Sequence, residues 1–175
     1  MAKVLVIGLD GGTWNIMKSL VKEGHLPTIA KIMKRGCYGD LESCMPPVTS
    51  PAWKCYSTGK NPGKLGVYWQ LCVDLEKQKF IAPNATSFKS KEIWDYLSER
   101  GISCGVLDMP TTYPPKRILG FMVSYGPPKP TGFTYPKDLE NTLKSLFNYK
   151  TDPDYFFDVN IDKAISSYME IINQR

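Results

Sequence analysis

The run Lys3-Val4-Leu5-Val6-Ile7-Gly8-Leu9 constrains this chain more than any other stretch. It is almost wholly apolar and rich in β-branched side chains, as expected of a strand covered on both faces in a parallel sheet. Asp10-Gly11-Gly12 ends it, and Ile16, Met17, Leu20 and Val21 then recur at i, i+1, i+4 and i+5, an apolar stripe on a helix that stops near Gly24. Strand, turn and helix in that order begin an α/β unit.

The remaining chain extends the pattern. Pro27 opens a second helix with Ile29, Ile32 and Met33 inward and Lys34-Arg35-Gly36 at its end, and Cys37 to Ser43 reads as another strand. Met45-Pro46-Pro47-Val48-Thr49-Ser50-Pro51 is expected to be a loop, with Pro51 in the first turn of a helix running to about Thr58-Gly59. A turn-rich connection from Lys60 to Gly66 leads to a hairpin between Val67 and Ile81. Lys91 to Arg100 reads as a helix closed by Gly101, and Ser103 to Leu107 as a buried strand ending at Asp108. The proline-rich stretch from Pro110 to Pro136 is loop-like, with a short strand at Gly120 to Ser124. Pro136 to Phe147 is a helix candidate, and Ile161, Ala164, Ile165, Tyr168, Met169 and Ile172 mark the cleanest amphipathic helix.

These elements predict an α/β fold with a mostly parallel sheet flanked by helices, in one domain over residues 1–175. In such a sheet a helix like the last one leads into a further strand, so the architecture is expected to continue past Arg175. The length of 175 residues, with 42% hydrophobic content, suffices for one substantial core. The only candidate signal core, Val4 to Leu9, is about six residues long, far short of the roughly 20 that span a bilayer, so no membrane span and a cytoplasmic location are expected.

Five cysteines (Cys37, Cys44, Cys55, Cys72, Cys104) include no C-x-x-C pair, which argues for reduced thiols over a disulfide framework or a structural zinc site. The net charge of +5 is spread along the chain and gives no indication of a nucleic-acid partner. The single histidine, His25, excludes any site built from several imidazoles of this chain.

Two residues stand out chemically. Asp10 lies where ligands collect in open α/β sheets, beyond the carboxyl end of a strand, and can bind a divalent cation; it can equally cap the next helix or hold the turn. Thr49 lies just ahead of a helix whose positive end would face a phosphate, and a metal can activate its hydroxyl; alternatively Thr49 or Ser50 is an N-cap. Lys54, Lys60 and Lys64 either supply a positive field or are solvated. Cys44 reads as a small buried thiol, His25 as a helix C-terminal partner, and Asp108 as a crevice residue or part of a turn. Neither Gly8-Leu9-Asp10-Gly11-Gly12 nor Gly59-Lys60 fits a nucleotide-binding glycine motif.

Taken in order, Val6-Ile7-Gly8-Leu9-Asp10-Gly11-Gly12-Thr13-Trp14, Gly24-His25-Leu26-Pro27-Thr28-Ile29, Pro46-Pro47-Val48-Thr49-Ser50-Pro51-Ala52-Trp53 and Thr58-Gly59-Lys60-Asn61-Pro62-Gly63-Lys64-Leu65-Gly66 resemble the type I phosphodiesterase/nucleotide pyrophosphatase family of the alkaline phosphatase superfamily. Pro110-Thr111-Thr112-Tyr113-Pro114-Pro115 and Gly120-Phe121-Met122-Val123-Ser124 continue the resemblance, in the manner of its prokaryotic branch. The resemblance implies an alkaline-phosphatase-like core holding two divalent metals, usually zinc. It implies Asp10 as a metal ligand, Thr49 as both ligand and nucleophile, and a phosphoester small molecule as substrate.

Two departures follow. The family's remaining Asp and His ligands map to no residue here, and Leu65 stands where the glycine-lysine block would carry a histidine. The related sulfatase pattern fails at Val48, where it requires arginine. The resemblance therefore implies the amino-terminal portion of a longer hydrolase, inactive when isolated. The alternatives are a non-catalytic α/β binding or assembly module, and a chain completed by its missing carboxyl-terminal part or by another chain.

Overall fold

In a computed structural model, which describes residues 3–125, 131–147, 149 and 161–174, the chain falls into two units, Met1–Ser43 and Cys44–Arg175. The first holds α1 (Trp14–Lys22) and α2 (Pro27–Arg35). Thr13 caps α1 by accepting from the Asn15 N–H at 3.4 Å. Gly24, at φ +85°, lets the chain leave α1 while the His25 N–H returns to the Leu20 carbonyl at 2.9 Å. Pro27 opens α2, and Lys34 and Arg35 close it against the negative end of its dipole.

The two strands expected in this unit are not formed. Residues 3–9 take no strand conformation, and Val4 and Leu5 are 86% and 84% exposed. An apolar run favours extended backbone, but a strand exists only where a neighbour completes its hydrogen-bond ladder, and none does so here among the described residues. Residues 37–43 are likewise unpaired. The Trp14 indole N–H donates to the Gly39 carbonyl at 2.9 Å and its ring lies 5.5 Å from that of Tyr38, so a side chain holds this segment instead of a ladder.

The second unit runs α3 (Thr49–Thr58), α4 (Pro62–Leu65), β1 (Cys72–Asp74), β2 (Lys79–Ile81), a 3-10 turn at Ala85–Ser87, α5 (Ile93–Glu99), β3 (Cys104–Met109), β4 (Gly120–Ser124), β5 (Thr134–Tyr135), α6 (Asp138–Phe147) and α7 (Ile161–Gln174). Strands β1 and β2 form the expected hairpin, with Val73 opposite Phe80. Strands β3, β4 and β5 form a mixed sheet in that order. β3 pairs parallel with β4 from Cys104↔Gly120 onward, and β5 returns antiparallel through Met122↔Tyr135 and Val123↔Thr134. The chain is thus α/β. The mostly parallel sheet does not appear among the described residues, because the runs that would have extended it are unpaired and only the β3/β4 pair is parallel.

Alternation along β4 organises the core. Met122 packs with Trp94 of α5, Val106, Met109 and Ile118, whereas its neighbour Val123 packs with Phe133, Tyr149 and the α6 residues Leu139 and Leu143. Helices therefore cover both faces of β4. A third cluster joins Leu65, Val67 and Phe88. Two glycines allow β3 and β4 to meet: a Cβ on Gly105 would collide with the Phe121 ring, and one on Gly120, at φ +128°, with the Cys104 carbonyl. The apolar residues Ile161, Ile165, Met169 and Ile172 of α7 are exposed.

Candidate active site

The Pro46-Pro47 loop delivers the chain directly into α3. Val48, not Thr49 or Ser50, is the N-cap, and no side chain caps this end. The Val48 N–H is held by the Pro46 carbonyl at 2.9 Å and the Val48 carbonyl accepts from Ala52 at 2.9 Å, which starts the helix one residue earlier than an N-cap at Thr49 would. The capping alternative for Thr49 is thereby corrected. Thr49 is the first helical residue, half-buried, with a buried Pro51 two positions on that has no N–H to contribute. The positive end of the α3 dipole consequently lies around Thr49 and Ser50.

Asp10 stands on an exposed turn of the first unit. Gly11 at φ +67° and a Gly12 N–H bond to the Leu9 carbonyl at 3.1 Å shape this turn, and Thr13 rather than Asp10 caps α1. Asp10 and Thr49 belong to different units, and neither unit by itself contains both.

Lys54 is not solvated, as the alternative for it held; it is 1% exposed. Its ammonium donates to Glu92 Oε1 at 2.7 Å and lies 4.9 Å from the centre of the Phe88 ring. Ser57 Oγ donates to the same oxygen at 2.9 Å. Lys116 reaches the other, Oε2, at 2.8 Å and Asp95 Oδ2 at 2.5 Å. Burial drives the Lys54 pKa down, and attraction to Glu92 only partly restores it. Lys54 is thus committed to Glu92. Lys60 is half-buried and Lys64 exposed.

Cys44 is half-buried and donates to the Pro46 carbonyl at 3.2 Å. Burial, and then a hydrogen bond with Cys44, raise the Cys55 thiol to about 11, so it stays protonated at neutral pH and is no nucleophile. His25 Nε2 lies 3.6 Å from Glu23 Oε2 at the exposed end of α1. Asp108 sits at φ +49° in the bulge that ends β3 and accepts from the Tyr149 hydroxyl at 2.6 Å. Leu65 is a core residue, packed with Val67 and Phe88. Sequence reasoning missed Glu92, Asp95, Lys116 and Tyr149. The one available signal was Glu92-x-x-Asp95 ahead of an apolar run, which marks a helix start.

Among the described residues no group of three or more His, Cys, Asp or Glu side chains could hold a metal ion. No helix among them is long and apolar enough to cross a membrane.

Fold and residues together define an α/β protein in which a threonine behind a proline loop opens a helix. A model of the type I phosphodiesterase / nucleotide pyrophosphatase family matches residues 4–170, and the chain belongs to that family of phosphodiesterase- and pyrophosphatase-type hydrolases. Membership implies a small phosphoester substrate. Comparison with curated proteins and with solved structures found no match.

Proposed function

We propose that this chain carries the nucleophile of a metal-dependent phosphoric-ester hydrolase, with Thr49 attacking phosphorus and Asp10 and Thr49 donating to a divalent cation, zinc in this reading. The observation that carries it is the position of Thr49 at the start of α3 in a chain matched to the family over residues 4–170. As the Oγ–P bond forms, the bond from phosphorus to the departing oxygen breaks and the hydroxyl proton ends on the departing alcohol. Water then cleaves the phospho-threonine and restores Thr49. The positive end of α3 supports the charge on the phosphoryl oxygens.

Asp10 and Thr49 provide two oxygen donors, fewer than the three protein ligands usual at a catalytic zinc ion. The described residues therefore do not complete the metal centre. The five free cysteines suit a reducing cytoplasm.

The shortage of donors favours one competing reading, a non-catalytic α/β binding or assembly module. The test is hydrolysis of a p-nitrophenyl phosphodiester with zinc or manganese, comparing wild type with Thr49→Ala. Wild-type turnover lost in Thr49→Ala supports the hydrolase, and equal rates above background reject Thr49 as nucleophile.

A further inference from the structure

Glu92 accepts from Lys54 and Ser57, two donors three residues apart on α3, at a single oxygen. Residues at that spacing share a helix face, so one carboxylate oxygen grips α3 at two heights along the face. Two-point contact on one face restricts both rotation about the helix axis and sliding along it. The grip is itself held firmly. Lys116 takes the second oxygen of Glu92, and the Glu92 N–H donates to Asp95 Oδ2 at 2.8 Å, tying the residue into the first turn of α5. Lys54 and Glu92 are 1% and 4% exposed, so water does not compete for these bonds.

A buried pair of this kind is poorly explained by stability, because apolar replacements of similar volume usually serve as well or better. Its distinctive product is a fixed geometry. The helix so fixed begins with Thr49, five residues before Lys54.

We infer that Glu92 is a positioning residue for Thr49, holding α3 through Lys54 and Ser57 at the angle from which the threonine hydroxyl meets a phosphoester. The inference rests on the hydrolase reading above for its chemistry, and on the ion cluster alone for its mechanics.

The test uses the full chain, as wild type, Glu92→Gln and the paired replacement Lys54→Met with Glu92→Leu. The pair removes both buried charges together, a replacement expected to keep stability near that of wild type, while Lys116 keeps Asp95 and Ser57 keeps the carbonyl of residue 54 at 3.3 Å. Two quantities are read: amide hydrogen exchange in α3 against β3 and β4, and kcat and KM for a p-nitrophenyl phosphodiester with zinc. The expected result is exchange in the first turns of α3 faster by about tenfold, with β3 and β4 within about twofold, and kcat lower by about tenfold at nearly constant KM. A merely structural role would raise exchange in all three elements together and leave kcat of the folded fraction intact. Unchanged exchange in α3, a rise matched in β3 and β4, or retained kcat in an active wild type overturns the inference. A wild type that turns over above background but no faster than Thr49→Ala would instead defeat the hydrolase reading, and at any level of turnover α3 exchange decides whether Glu92 sets that helix.

Discussion

In Met1–Ser43 the two helices bury none of their residues and are finished by local devices, Thr13 and Gly24 for α1 and Pro27 for α2. In Cys44–Arg175 three apolar clusters and an ion cluster built on the buried Lys54–Glu92 pair join residues far apart in sequence, Lys54 to Glu92 across 38 positions and Tyr149 to Asp108 across 41. Apart from Trp14, which reaches Tyr38 and Gly39, the first unit is finished by contacts within a few residues, whereas the second depends on contacts that only a completed fold supplies. Helices can be specified locally by caps and periodicity; strands and buried charges cannot.

Three substitutions probe this contrast, beginning with the largest effect. Glu92→Ala leaves the Lys54 ammonium buried without its carboxylate and is expected to cost about 3–5 kcal/mol in urea unfolding. A loss near that of a surface change would mean that the second unit does not depend on its long-range charges. Next is Glu140 on α6. Burial pushes its pKa up, but bonds from Lys144 at 2.7 Å and from the Gly132 and Phe133 N–H groups at 2.6 and 3.3 Å outweigh this and leave it lowered. A carboxylate held low stabilises the fold above the usual carboxylate range, and the stabilisation disappears as pH falls through the folded value. Glu140→Gln should therefore lower the thermal midpoint at pH 7, by an amount equivalent to about 1–2 kcal/mol, and make little difference in strong acid. Equal differences at both pH values would remove the charge from the explanation. The smallest effect belongs to the first unit. Val6→Ser, at an exposed position, should shift stability by less than about 0.5 kcal/mol. A loss typical of a core valine would show that residues 3–9 are covered, and the contrast between the units would fail.

The same division explains what could be read in advance. Helix α2 and strand β4 fall on the expected residues, because proline, basic and glycine punctuation fixes the first and a short apolar run the second. Helix α7 follows its 3.6-residue stripe. Residues 3–9 carried the plainest strand pattern, yet the pattern contains no information about a partner. At the site, the sequence singled out Thr49 and its helix but placed the helix start too late, since Val48 caps through its backbone carbonyl alone. Burial of Lys54 was illegible, because nothing local distinguishes a lysine facing water from one facing a glutamate 38 residues away.

Trp94 offers a practical use of the buried cluster. Its indole N–H is buried with no hydrogen-bond partner among the described residues, and the Lys116 ammonium lies 5.8 Å from its ring. An indole shielded from water and set beside a fixed positive charge has an emission colour governed by that charge. With Trp14, Trp53 and Trp69 replaced by phenylalanine, the remaining indole becomes a built-in dye for the Glu92 assembly, one whose hue follows the neighbouring ammonium.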